Sequence, residues 1–98
     1  MKVFISQPMR GKKPEEILGE RNKIMELLKT KLKEDFTVLD SYFQEPVENA
    51  TPLWYLSRSL AIMSEADIVV FAKGWEKYRG CKIERECARA YNYICRYL

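Results

Sequence analysis

The sequence predicts a three-layer α/β sandwich, a single parallel sheet of four strands in the order 2-1-3-4 between two layers of helices. Short apolar runs alternate with longer helical patterns as βαβαβαβ, which is the pattern of a parallel sheet with crossover helices. The third run, Ile68-Val69-Val70-Phe71-Ala72 after Asp67, is apolar at every position, as expected of a central strand covered on both faces. Short right-handed crossovers that bring the ends of strands one and three together at a switch point set the order of the strands.

Each element has its own signal. Lys2 to Ser6 is an apolar strand that stops at Gln7-Pro8-Met9-Arg10-Gly11, where Pro and Gly mark a loop. Pro14 before Glu15 and Glu16 starts a helix, and Ile17, Leu18, Ile24, Met25, Leu28 and Leu32 recur on one face through Lys33. Phe36 to Asp40 reads as a second strand, and the polar stretch from Gln44 to Thr51, with Pro46, as a surface loop. Thr51-Pro52 is an N-cap and first-turn pair for a second helix marked by Leu53, Leu56, Leu60 and Met63. After the strand at Asp67 to Ala72, a third helix is expected from about Cys81 to Tyr91, and Tyr93 to Tyr97 closes the sheet.

Composition narrows the class. The 98 residues support one domain over 1–98, and an apolar fraction of 47% is enough for one core. The net charge of +3 arises from 17 basic and 14 acidic residues that interleave, so no block reads as a nucleic-acid-binding tail or a membrane-binding helix. Cys81, Cys87 and Cys95 have neither CxxC spacing nor an even count, and there is no histidine. On that basis no metal site, disulfide scaffold, histidine-based triad or cofactor is expected. Met1 enters a strand without a signal-peptide core, and no apolar run approaches the roughly 18 residues of a membrane span. A cytoplasmic protein is expected.

Chemistry is expected at the carboxyl ends of the strands. In the first loop, Gln7, Met9, Arg10 and Gly11 precede a helix start; Arg10 can fork onto a phosphate or carboxylate while the glycine admits backbone N–H groups. A solvated basic turn is the plain alternative. In the loop from Gly74 to Gly80, Trp75 can stack on a base or sugar face, with Arg79 and Gly80 beside it, or can pack as a lid on the sheet edge. Glu84, placed in the first turn of the last helix, is either a catalytic carboxylate at the sheet's ligand edge or a residue that only complements the helix dipole. Asp67, at the amino end of its strand, is read as structural, and Glu86, two residues after Glu84, as solvated.

The turn with Met9-Arg10-Gly11, the Ala66-Asp67-Ile68-Val69-Val70 strand and the Gly80-x-x-x-Glu84 helix start together resemble the nucleoside 2-deoxyribosyltransferase-like superfamily, which has a flavodoxin- or Rossmann-like fold. Within it the chain looks most like the short phage and bacterial proteins of unknown function of the DUF4406 type, whose Gly-Trp-Glu-x-x-Arg-Gly segment stands here at Gly74 to Gly80. The resemblance implies hydrolysis or transfer at the N-glycosidic bond of a (deoxy)nucleoside 5′-monophosphate, with Glu84 as nucleophile on the anomeric carbon and Arg10-Gly11 at the 5′-phosphate. It also implies subunits that pair through helices, and the apolar residues of helix two, with Trp54 and Tyr55, lead to the same expectation of a homo-oligomer.

The chain departs from the family pattern at Phe4, where a tyrosine orients the catalytic carboxylate, and at Ser59, where active members carry an acid. A tail completing a neighbouring subunit's site is not expected. If Phe4 leaves Glu84 without a donor, Tyr78 and Tyr42 are the candidates to replace the missing hydroxyl. Two functions follow: an N-glycosidic enzyme, or a nucleotide-binding module that keeps the pocket without the chemistry.

Overall fold

The computed structural model describes residues 1–43 and 46–98; of the loop expected from Gln44 to Thr51, Gln44 and Glu45 lie outside the described residues. The elements are β1 (Lys2–Ser6), α1 (Pro14–Lys31), β2 (Thr37–Val38), α2 (Pro52–Met63), β3 (Ile68–Phe71), a 3-10 turn (Trp75–Lys77), α3 (Arg79–Ala90) and β4 (Ile94–Tyr97). The four strands form one sheet in the order β2-β1-β3-β4, and every pairing is parallel. The fold is the flavodoxin- or Rossmann-like sandwich that the alternation predicts.

Successive residues of a strand point to opposite faces, and here that periodicity divides the core in two. Val3, Ile5, Ile68 and Val70 pack with Ile24 and Leu28 of α1 on one face. Phe4, Val69 and Phe71 pack with Met63 of α2 and Ala88 of α3 on the other. All four residues of β3 are buried, so this strand alone removes enough apolar surface to contribute several kcal/mol at about 1.5–3 kcal/mol per large side chain. Thr51 caps α2 as expected, its Oγ1 accepting from the Trp54 N–H at 3.0 Å with Pro52 in the first turn.

The larger boundary differences from the sequence reading are in α1, β2 and α3. Helix α1 ends at Lys31 rather than Lys33, where Leu32 turns to extended backbone. Strand β2 keeps only Thr37 and Val38, because as an edge strand it pairs with just Lys2 and Val3 of β1. Helix α3 begins at Arg79, two residues earlier than Cys81, and so Glu84 lies in its second turn, with no acid in the first. That change weakens the dipole explanation of Glu84, since the macrodipole acts mainly within the first turn.

Candidate functional site

A cavity of about 1110 Å³ opens at the carboxyl ends of the strands, walled by the segment after β1, by residues 41–43 after β2, by α2 and by the start of α3. Gln7, Met9, Arg10, Arg79, Gly80 and Glu84 all line it, so six of the eight expected site residues converge from segments more than sixty residues apart. Gly11 and Trp75 do not. Gly11 serves the turn instead, with a φ of 79° that suits glycine. The ring of Trp75 packs on Phe71 at 5.5 Å and Tyr97 at 5.7 Å, with the Arg85 guanidinium 5.2 Å from its centroid. It is a lid on the β3–β4 end of the sheet, not a stacking platform for a ligand, because Tyr97 of β4 presents the ring that Trp75 covers.

Gly80 is helical, and the glycine with a left-handed backbone in this loop is Gly74, at φ 90°. Gly80 lines the cavity, and a Cβ there would meet nothing within 4 Å. The side chain of Gln7 is engaged in the framework: its Nε2 donates to the Ile17 carbonyl at 2.7 Å and its Oε1 accepts from Arg21 Nε at 3.0 Å.

Glu84 is the centre of the site. It is only 7% exposed, and its Oε1 accepts a hydrogen bond from the Ser6 hydroxyl at 2.7 Å. Its Oε2 takes no hydrogen bond from the described residues and is not sealed off from the cavity. Burial pushes the carboxyl up to about 7, while the Ser6 hydrogen bond and the positive charge of Arg21 pull it down. A group that is half protonated near neutrality serves equally as acid, base or nucleophile.

The hydroxyl expected from Tyr78 or Tyr42 is therefore supplied by Ser6. Both tyrosines line the cavity, but neither hydrogen-bonds to Glu84. Phe4, on the same face of β1 as Ser6, is fully buried in the core. Ser6 and Glu84 meet because β1 ends with its side chain on the α3 face, and α3 brings residue 84 over that end. Cys81, one turn before Glu84, is also buried, and burial raises its thiol to about 11, which keeps it protonated and unreactive.

Arg10, Lys77 and Arg79 give the rim three exposed cations above a floor that holds one carboxylic acid. Across from them, the wall formed by Phe43 and Tyr55, with rings 5.8 Å apart, is aromatic. An anionic head and a flat apolar group fit this division.

Sequence reasoning missed Ser6, Arg21 and Ser41. Arg21 left a legible trace: it falls on the buried stripe Ile17, Arg21, Ile24 and Leu28 of α1, where a charged residue breaks the apolar pattern. Ser6 shares its strand face with Phe4 and so points inward, whereas nothing in the local sequence marks Ser41. Asp67 is structural as read, although its partner is distant: it accepts from the Lys2 N–H at 2.6 Å and ties β1 to the start of β3. Glu86 is exposed.

Among the described residues no group of three or more His, Cys, Asp and Glu side chains is placed to hold a metal ion, and no helix is long and apolar enough to cross a membrane. The three cysteines are free thiols. A family model described as a domain of unknown function, DUF4406, matches residues 1–96. No curated protein matches the chain at a significant level.

Proposed function

The chain belongs to the DUF4406 family, whose description names no reaction, and from the site we propose that it cleaves or transfers the N-glycosidic bond of a (deoxy)nucleoside 5′-monophosphate. The observation that carries this reading is the buried Glu84 carboxyl, held by Ser6 through one oxygen, beneath a rim of Arg10, Lys77 and Arg79.

In this reading the rim holds the phosphate, which fixes the anomeric carbon above Glu84 Oε2, and the base lies against Phe43 and Tyr55. Oε2 attacks the anomeric carbon as the bond to the base nitrogen breaks; the base leaves with the electron pair and takes a proton from the medium. Water, or the nitrogen of a second base, then attacks the anomeric carbon as its bond to the carboxylate breaks, releases its proton to the medium and restores the site. The Ser6 hydroxyl stabilises the carboxylate in the free enzyme and as leaving group. Incubating the protein with a panel of nucleoside 5′-monophosphates and assaying free base by chromatography tests it. Release from at least one monophosphate is expected; intact substrates throughout a panel that the protein binds would defeat the catalytic reading.

One observation favours the second reading, a nucleotide-binding module without turnover. Glu84 is the sole carboxylate lining the cavity among the described residues, and Ser59 stands on the wall where a second acid would help the base depart. Binding without base release is its signature.

Self-association belongs to the same proposal. Of α2 only Met63 is buried, while Leu53 is 72% and Trp54 36% exposed, leaving an apolar helix face beside the cavity. Sedimentation at micromolar concentration is expected to show more than the 11.6 kDa single chain; a single chain alone would count against pairing.

A further inference from the structure

The buried polar and charged side chains of the described residues are Ser6, Gln7, Arg21, Ser41 and Glu84, and all five gather at the carboxyl end of β1. Arg21 is the unexpected member. It is 6% exposed and donates through Nε to Gln7 Oε1 at 3.0 Å and through Nη2 to Ser41 Oγ at 3.1 Å and the Ile5 carbonyl at 3.4 Å. None of these acceptors is charged, and no described carboxylate forms an ion pair with it.

A staple that merely joined α1 to β1 and Ser41 would need donors, not a charge. A neutral donor there would avoid desolvating a guanidinium, which burial disfavours unless an anion compensates it. The anions whose field reaches Arg21 are Asp40, exposed after β2, and Glu84, the only buried carboxyl of the described residues. We propose that Arg21 is the positioning residue of the site: its buried cation locks the end of β1 that carries Ser6 and supplies the field that lets Glu84 ionise at its buried position. The inference rests on Glu84 being the reacting group. It adds the source of its counter-charge, which lies on the opposite face of the sheet from α3 and does not line the cavity.

The groups that act on Glu84 are the Ser6 hydroxyl from β1, the charge of Arg21 from across the sheet and Cys81 on its own helix, while Arg10, Lys77 and Arg79 stand exposed at the rim. Asp40 opposes Arg21 from the end of β2, and the phenols of Tyr42 and Tyr78 line the same cavity. With glutamate labelled at the carboxyl carbon, NMR follows the titration of Glu84 directly, and Glu84→Gln identifies its signal.

Arg21→Gln is expected to move the midpoint upward by about one pH unit or more, Arg21→Lys to keep it near the wild-type value, and Ser41→Ala, which removes a hydrogen bond but no charge, to leave it in place. If Arg21→Gln does not fold, Arg21→Met takes its place, since it fills much of the same volume without a charge, and the same rise is expected. An unchanged midpoint in the charge-removing variant would overturn the proposal. The titration needs no substrate, so a shifted midpoint in a protein that releases no base would keep Arg21 in this role while defeating the catalytic reading.

Discussion

The two edges of this sheet carry acids with opposite fates. At the amino edge, Asp67 is exposed and its carboxylate accepts the Lys2 N–H at 2.6 Å, closing the contact between β1 and β3. At the carboxyl edge, Glu84 is buried, holds one hydrogen bond from Ser6 and leaves its second oxygen facing a cavity. The two carboxylates have the same chemistry, and topology alone makes one a strand tie and sets the other, the reacting group of the proposed function, at the cavity. In a parallel sheet all strands end on one side, the following segments diverge around that edge, and the cleft between them is where unsatisfied groups meet a ligand.

The sharpest way to break this comparison is Glu84→Gln, which keeps the shape and the Ser6 contact but removes the charge. Turnover is expected to fall by about a thousandfold or more, roughly 4 kcal/mol of barrier, with nucleotide binding nearly unchanged. Base release at the wild-type rate would leave Glu84 no more functional than Asp67. The same variant carries a second prediction that needs no substrate. The folded state raises the Glu84 carboxyl from 4.5 to about 7, so it binds the proton more tightly than the unfolded chain does. The stability that this tighter binding contributes is full below pH 4.5 and is lost as pH rises through 7. Relative to wild type, Glu84→Gln should therefore gain on the order of 3 kcal/mol between pH 4.5 and pH 8, read from urea unfolding at each pH. A difference that does not vary with pH would mean that Glu84 ionises freely.

How much of this was legible in the sequence depends on which interactions decide each position. Strand β3 was plain because Ile68 to Phe71 is short, apolar without interruption and rich in β-branched residues, which fits a strand covered on both faces. Glu84 was placed at the right edge because its glycine and basic neighbours mark the start of α3, although that start comes two residues earlier than expected. Trp75 was not resolvable: an aromatic ring in that loop packs inward or faces a ligand according to what β4 presents, and Tyr97 is twenty-two residues away. Ser6 and Ser41 have their roles only through partners on other elements, Glu84 and Arg21. Arg21 itself was visible as a charge in an apolar stripe, yet periodicity counts apolar positions and passes over the exception.

A smaller effect tests whether the rim of the cavity differs from an ordinary basic surface. Arg10→Ala is expected to weaken a nucleoside monophosphate by about tenfold, near 1.4 kcal/mol, and to leave the unphosphorylated nucleoside almost unaffected, as calorimetric titration of both ligands would show. Equal weakening of the two would move the phosphate to Lys77 and Arg79 at the start of α3.

The smallest effect belongs to the amino edge and completes the contrast. Asp67→Asn keeps an oxygen that accepts from the Lys2 N–H, so the tie between β1 and β3 persists with a neutral acceptor in place of a charged one. The contact is exposed, and water is available to both groups in the unfolded and the partly loosened state. The loss is therefore expected to stay below about 1 kcal/mol by urea unfolding, with base release and nucleotide affinity unchanged. Asp67→Ala, which removes the acceptor, should cost more than the asparagine variant because the Lys2 N–H then has only solvent. If Asp67→Asn instead lowered nucleotide affinity as strongly as Arg10→Ala, the two edges would be coupled through β1, and the separation of a structural acid from a reactive one would fail.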